Sequence, residues 1–103
     1  MAKLITVYWR DIPAQVMARQ GRNTVKVQLS ERFQEAIDRA AMRAGKGSTD
    51  AYLEEWRRDT TECRGDLDAA VRDRAADLEA AYDDERLATM VRTKGIDAGA
   101  AGA

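Results

Sequence analysis

Hydrophobic and polar residues follow two different periods along this chain, and the period changes near Ser30. Before that residue, apolar and polar side chains alternate, most clearly in residues 4–10 and 24–29, which is the pattern of β-strands. Residues 14–19 predict a further strand, because the proline in Asp11-Ile12-Pro13 and the turn at residues 20–23 separate it from its neighbours. This part of the chain therefore predicts a three-stranded antiparallel meander.

After Ser30 the apolar residues recur at helical spacing. A first helix is predicted from the N-cap Ser30 to the glycines at positions 45 and 47, and a second, shorter helix from residue 48 or 49 to about residue 58. The apolar stripe of this second helix consists of Tyr52, Leu53 and Trp56. Residues 60–65 are predicted to be a connector that carries Cys63, and a third helix opens at Asp66.

The pattern fades after Arg86, and the chain ends in a stretch rich in glycine and alanine. Residues 87–103 are therefore predicted to be a flexible C-terminal tail. The expected fold is one α+β domain over residues 1–86, in which three helices pack on one face of a small three-stranded antiparallel sheet at the N-terminus.

The composition of the 103 residues excludes several function classes. With no histidine, the chain cannot form a Ser-His-Asp or Cys-His nucleophile pair or a histidine-ligated zinc site, and one cysteine cannot form an internal disulfide. No pair of carboxylates stands out at a defined spacing, so we expect a non-catalytic protein with no cofactor and no metal site, in which Cys63 is an incidental thiol. The apolar runs are too short to span a membrane, and the start of the chain lacks a secretory signal, so we expect a cytoplasmic location.

The formal charge of −1 hides an uneven distribution. Residues 1–29 hold five cations, Lys3, Arg10, Arg19, Arg22 and Lys26, against the single carboxylate of Asp11. Because most of these cations lie on or beside predicted strands, Arg19, Arg22 and Lys26 are predicted to form a basic face, with Arg10 as a further candidate. Such a face would receive a phosphate, a polyglutamate tail or an acidic partner, although a solvated sheet face is the alternative interpretation.

The run Ile5-Thr6-Val7-Tyr8-Trp9-Arg10-Asp11-Ile12-Pro13-Ala14-Gln15-Val16 resembles the opening of a small virulence factor family, whose domain is related to the C-terminal part of conserved virulence factor C. Residues 36–41 and 50–57 are similar to later blocks of that family, and the resemblance covers roughly residues 3–85. It implies an accessory subunit that accompanies folate or corrinoid methyl-transfer enzymes in one-carbon metabolism. It assigns no catalytic residue.

A partner-binding site is predicted around the densest cluster of polar and aromatic residues. The candidate residues are Tyr8, Trp9, Arg10, Asp11, Pro13 and Gln15, with Tyr52 and Trp56 in support. Aromatic and arginine side chains supply most of the binding energy of protein interfaces. The alternative interpretation is that Trp9 belongs to the core and that Arg10 and Asp11 form an ion pair at the end of a strand.

The chain is therefore interpreted as a protein-interaction module, an accessory subunit or adaptor of a larger metabolic enzyme, with a second copy of the chain as a further candidate partner. The alternative is a dimeric DNA-binding regulator, since residues 24–56 also follow the strand–helix–helix layout of ribbon-helix-helix repressors. In that interpretation Thr24, Lys26 and Gln28 would enter the major groove. The upstream strands, the third helix and the charge of −1 argue against it.

Overall fold

The computed structural model describes residues 2–45 and 49–96, which form one sheet and four helices. The strands are β1 (Lys3–Trp9), β2 (Ile12–Gln20), β3 (Asn23–Gln28) and β4 (Trp56–Glu62). The helices are α1 (Glu31–Arg43), α2 (Thr49–Glu54), α3 (Leu67–Ala81) and α4 (Asp84–Arg92). The fold is α+β, and the predicted meander is confirmed as β1, β2 and β3.

All neighbouring strands of the sheet are antiparallel, in the order β3-β2-β1-β4. A tight turn at Gly21, where φ is +59°, joins β2 to β3, and a turn at Arg10, where φ is +53°, joins β1 to β2. The pairing of β1 with β2 shifts register between Val7 and Tyr8, so that Ala14 is an extra residue on β2. The carbonyl oxygen of Ala14 accepts a hydrogen bond from the amide of Leu29, which fixes this β-bulge beside the start of α1.

One face of the sheet carries the hydrophobic core. Helix α3 packs on β2 and β3, helix α1 packs on β2, and α4 packs on α1. The largest fully buried side chains of this core are Trp9, Ile12, Val16, Phe33, Ile37, Val71 and Met90. The apolar residues that recur at helical spacing in α1 and α3 thus lie on the surfaces that these helices bury.

The structure corrects the prediction at the second helix. That helix ends at Glu54, and residues 56–62 form a fourth strand, so the sheet has four strands and not three. The apolar stripe predicted for the second helix is therefore split, because Tyr52 lies on α2 and Trp56 is the first residue of β4. Strand β4 pairs with β1 along its whole length and thereby satisfies backbone groups at an edge whose side chains are buried.

The structure also corrects the predicted end of the domain. Residues 84–92 form α4, which Asp83 caps by accepting a hydrogen bond from the amide of Arg86. Leu87 and Met90 are buried in the core, because their spacing of three places both side chains on the same face of the helix. The predicted tail therefore begins too early, and residues 97–103 lie outside the described part of the chain. Over the described residues, no helix has the length and apolar character to cross a bilayer.

Candidate functional site

Trp9 and Pro13 belong to the core, which corrects their assignment to a partner-binding site. Both side chains are almost completely buried, and Trp9 exposes 0% of its surface. The indole of Trp9 stacks on Tyr52 with ring centroids 5.9 Å apart, and its Nε1–H donates to the Tyr52 carbonyl oxygen at 2.8 Å. Neither residue presents a surface that a partner could contact.

Arg10 and Asp11 connect the β1–β2 turn to other parts of the chain. Arg10 donates to the Glu55 carboxylate at 3.3 Å and to the Lys94 carbonyl oxygen at 2.8 Å. Asp11 accepts from Arg57 of β4 at 3.2 Å. These two predicted site residues therefore join the β1–β2 turn to Glu55 between α2 and β4, to β4 itself and to the segment after α4.

Tyr8 is also buried, on the face of the sheet that carries α3. Its hydroxyl oxygen accepts a hydrogen bond from Arg74 of α3 at 3.1 Å, and the guanidinium of Arg57 lies 4.4 Å from its ring centroid. Arg74 also donates to the hydroxyl of Thr6, two residues earlier on β1. These contacts hold α3 against the middle of the sheet and leave little of Tyr8 exposed.

The opposite face of the sheet, called the open face below, is arranged in three rows that run across all four strands. The register places Arg58, Val7, Gln15 and Gln28 in the first row. Thr60, Ile5, Met17 and Lys26 form the second row. Glu62, Lys3, Arg19 and Thr24 form the third. Side chains that neighbour each other along a row are about 5 Å apart at the backbone.

The centre of the open face is a narrow apolar floor. Ile5, Val7 and Met17 expose 6%, 8% and 9% of their surfaces, and among the described residues Trp56 is the partly buried hydrophobic residue that packs against them. No helix of the described ranges covers this floor. The long polar side chains on both sides of it therefore shield it from water and dominate the accessible surface of the face.

Four cations surround this floor: Lys3, Arg19, Lys26 and Arg58. Within residues 2–45 and 49–96, no carboxylate lies within 4.0 Å of any of them. Glu62 is the one acidic residue in the three rows, so the face carries a net charge of +3. Arg19 and Lys26, two residues of the predicted basic face, lie among these four cations.

Arg22, the third residue of the predicted basic face, lies elsewhere. It follows Gly21 in the β2–β3 turn and lines a depression together with Asp66 and Asp68 at the start of α3. Arg10 is likewise absent from the open face, because it lies in the β1–β2 turn. The structure adds Lys3 and Arg58 to the face in their place. Sequence reasoning missed Arg58, because residues 56–58 were assigned to a helix.

A cleft of about 330 Å³ opens at one end of the open face, beside the β-bulge. Its lining residues are Val7, Ala14, Gln15, Gln28, Gln34, Trp56, Arg57 and Arg58. The ring of Trp56 meets Tyr52 edge-on at a centroid distance of 5.7 Å, and the Tyr52 hydroxyl accepts a hydrogen bond from Gln34. Of the predicted partner-binding residues, the structure brings Gln15 and Trp56 together here, with Tyr52 behind them.

Glu79, which lies on the helical side of the fold, has a pKa below its ordinary value. Burial raises its pKa, but hydrogen bonds from the amide and hydroxyl of Ser30 and the nearby Arg32 guanidinium outweigh burial and lower the pKa below 4.5. Arg32 also donates to the carbonyl oxygens of Glu79 and Tyr82. This network fixes the start of α1 to the end of α3.

Cys63 is buried, and its amide donates to the Ala2 carbonyl oxygen next to the first residue of β1. In the ranges that the structure describes, no three acidic or cysteine residues are grouped in a way that could hold a metal ion.

A model of the family described as Virulence factor matches residues 7–91, which include every element from the middle of β1 to α4. Comparison with curated proteins and with solved structures gave no match. The family match covers most of the chain and includes the Val7–Val16 segment whose pattern first indicated it. The chain therefore belongs to the Virulence factor family.

Proposed function

We propose that this domain is a protein-interaction module whose open face docks an acidic surface of a partner protein. The observation that carries the proposal is the group of four cations around the apolar floor, none of which has a carboxylate within 4.0 Å in the described residues. Unpaired cations on an accessible face attract a surface of complementary charge. A partner with exposed carboxylates would neutralise these cations.

The shape of the open face favours a protein partner over DNA. The major groove is about 12 Å wide and admits a helix or a two-stranded ribbon. Lys26 and Gln28, which would read bases, lie on a strand that is already paired within a four-stranded sheet, whose backbone alone spans about 14 Å. The acidic helices behind the sheet bring the whole chain to −1, which further weakens attraction to phosphates.

The role of accessory subunit or adaptor belongs to the same proposal. A domain with a charged docking face and an apolar core of its own is suited to bring a larger enzyme into place. The family resemblance directs the search to folate- or corrinoid-dependent methyl-transfer enzymes. An acidic surface patch on such an enzyme is the feature to look for.

The test is affinity purification of the tagged full chain from its own cells, with matched charge-reversal variants. Arg19→Glu with Lys26→Glu changes two cations of the open face, whereas Arg39→Glu with Arg72→Glu changes two exposed cations on α1 and α3. We expect one discrete protein to be retained by the wild type and the helix variant and lost by the open-face variant. Equal retention by both variants contradicts the proposal. Salt-dependent retention on duplex DNA that Lys26→Ala abolishes would instead support the DNA-binding regulator.

A further inference from the structure

The first row of the open face differs from the other two rows, because all four of its side chains line the cleft. Arg58 lies on one side of Val7 and Gln15 on the other, each one strand away. Both side chains are long enough to reach above Val7, whose own side chain is nearly buried. A small group placed over Val7 would therefore be within reach of a guanidinium from β4 and a primary amide from β2.

Apart from Arg57 and Arg58, the residues that line this cleft are uncharged. Gln28 extends the row beyond Gln15, and both Gln34 of α1 and Trp56 line the cleft. In the described residues, no side-chain hydrogen bond of Gln15, Gln28 or Arg58 is formed, so their donors are free to bind a ligand. The β-bulge at Ala14 creates the cleft, because it interrupts the regular pleat beside Gln15.

A carboxylate on a short apolar stem fits these groups. The guanidinium presents two parallel N–H donors that match the two oxygens of a carboxylate, and an amide N–H can bind a further lone pair. The stem would lie on Val7 and Trp56. A doubly charged phosphate fits less well, since sites for it usually combine several cations or a row of backbone amides.

We propose that this cleft binds the carboxylate side chain of a glutamate or aspartate on the partner, held by Arg58 and Gln15 over Val7 and against Trp56. The inference rests on the proposed function and deepens it, because it assigns to one position of the open face the recognition of a single acidic side chain. The other cations of the face would attract the partner, and the cleft would fix its register.

The two tryptophans of the chain provide the test. Trp56 lines the cleft, whereas the indole N–H of Trp9 is buried and donates to the Tyr52 carbonyl oxygen, so the Trp9 signal serves as an internal reference. The probe is a capped hexapeptide in which glutamate alternates with valine, and the control peptide carries glutamine at the same positions. Both are titrated into the ¹⁵N-labelled full chain, and Trp56→Phe assigns the two indole signals.

We expect the glutamate peptide to shift the Trp56 signal in a saturable way and to leave the Trp9 signal in place. Arg58→Gln should weaken binding about tenfold, because a charge-assisted pair is lost, and Arg58→Lys should restore only part of the affinity. Arg39→Gln on α1 is the matched control and should bind like the wild type. An unmoved Trp56 signal, equal binding of the glutamine peptide, or tighter binding of inorganic phosphate than of acetate would each overturn the proposal.

These outcomes separate the cleft from the function on which it rests. If Arg58→Gln has no effect on peptide binding while Arg19→Glu with Lys26→Glu abolishes partner capture, the carboxylate site is wrong and the docking face stands. If the peptide shifts the Trp56 signal but the partner is retained equally by the wild type and by Arg19→Glu with Lys26→Glu, the cleft binds carboxylates and the proposed function is wrong.

Discussion

Trp9 contacts several parts of this fold that lie far apart in the sequence. It ends β1, stacks on Tyr52 of α2 and lies under the segment that follows α4. A β-carbon placed on Gly95 would lie 2.9 Å from the Trp9 ring, and Gly95 has a φ of +85°. The backbone after α4 therefore passes directly over the indole, which only glycine permits without displacement.

Replacement of Gly95 by alanine tests this close approach. Gly95→Ala adds both a strained positive φ and a clash with Trp9, so we expect the free energy of unfolding to fall by roughly 2–4 kcal/mol. Gly65→Ala is the matched control, since Gly65 has a φ of +79° and nothing within 4 Å of its β-carbon position. It should cost only the backbone strain of roughly 1–2 kcal/mol. Equal losses in urea denaturation would show that the segment does not rest on Trp9.

Glu79 gives a prediction about pH. Because its pKa is lowered in the folded chain, its stabilising effect is present above its ordinary pKa of 4.5 and is lost as the pH falls through the lower folded value. Glu79→Gln should reduce the free energy of unfolding by roughly 1 kcal/mol at pH 7, after allowance for its partial exposure. The difference from the wild type should shrink as the pH falls below 4.5.

Urea denaturation of both proteins at several pH values measures this difference. Glu35→Gln, on an exposed part of α1, is the control and should leave stability unchanged at each pH. A Glu79→Gln loss that is independent of pH would mean that the carboxylate charge does not stabilise the fold.

At the scale of elements, the sequence predicts the strands and helices whose own residues carry a repeating apolar pattern. Strands β1 and β3 alternate apolar and polar residues, and α3 repeats its apolar residues every three or four positions, so their own residues determine their structure. Strand β4 has no such pattern: from Arg57 to Glu62 every residue is exposed. It is a strand because its backbone pairs with β1, which is distant in the sequence. Pairing with a distant strand does not require a repeating pattern in the residues of β4 itself.

The candidate site was only partly predictable for the same reason. The sequence predicts both Gln15 and Trp56 as site residues, but as members of a cluster around Trp9, which is buried. Their real neighbour is Arg58, and only the register of β4 on β1 places it across Val7 from Gln15. Burial of Trp9 was open as an alternative, since alternation alone does not say which face of a strand the helices cover.

Helix α4 provides a test at this scale. If residues 87–92 pack as the structure describes, Leu87→Ala and Met90→Ala should each lower the free energy of unfolding by roughly 2–4 kcal/mol, because each opens a cavity in the core. Ala88 lies between them on the exposed side of the helix. Ala88→Gln should therefore change the free energy of unfolding by less than about 0.5 kcal/mol. Thermal or urea denaturation compares the three variants. Small effects of all three would restore the prediction of a flexible tail from residue 87.

At the scale of the whole molecule, charge is separated between the two sides of the sheet. The open face carries +3, whereas the chain as a whole carries −1, so the helices and their connections are acidic. The sequence already predicted this division from residues 1–29, and the structure places two of those cations, Arg19 and Lys26, with Lys3 and Arg58. Such a separation gives the molecule a preferred orientation towards an acidic partner before contact.

This charge separation predicts how binding of the captured partner responds to salt. Because the apolar floor is almost buried and the cations form the accessible surface, electrostatic attraction should dominate the association step. Raising NaCl from about 0.05 to about 0.5 M shortens the screening length from about 14 to about 4 Å, so the association rate constant should fall about tenfold or more. The dissociation rate constant should change much less, since contacts made in the complex are screened less than charges approaching through water.

Arg19→Glu with Lys26→Glu should remove most of the salt dependence, and Arg39→Glu with Arg72→Glu should retain it. An association rate that is constant or rises with salt would mean that burial of apolar surface, and not the charge of the open face, brings the partner to this domain.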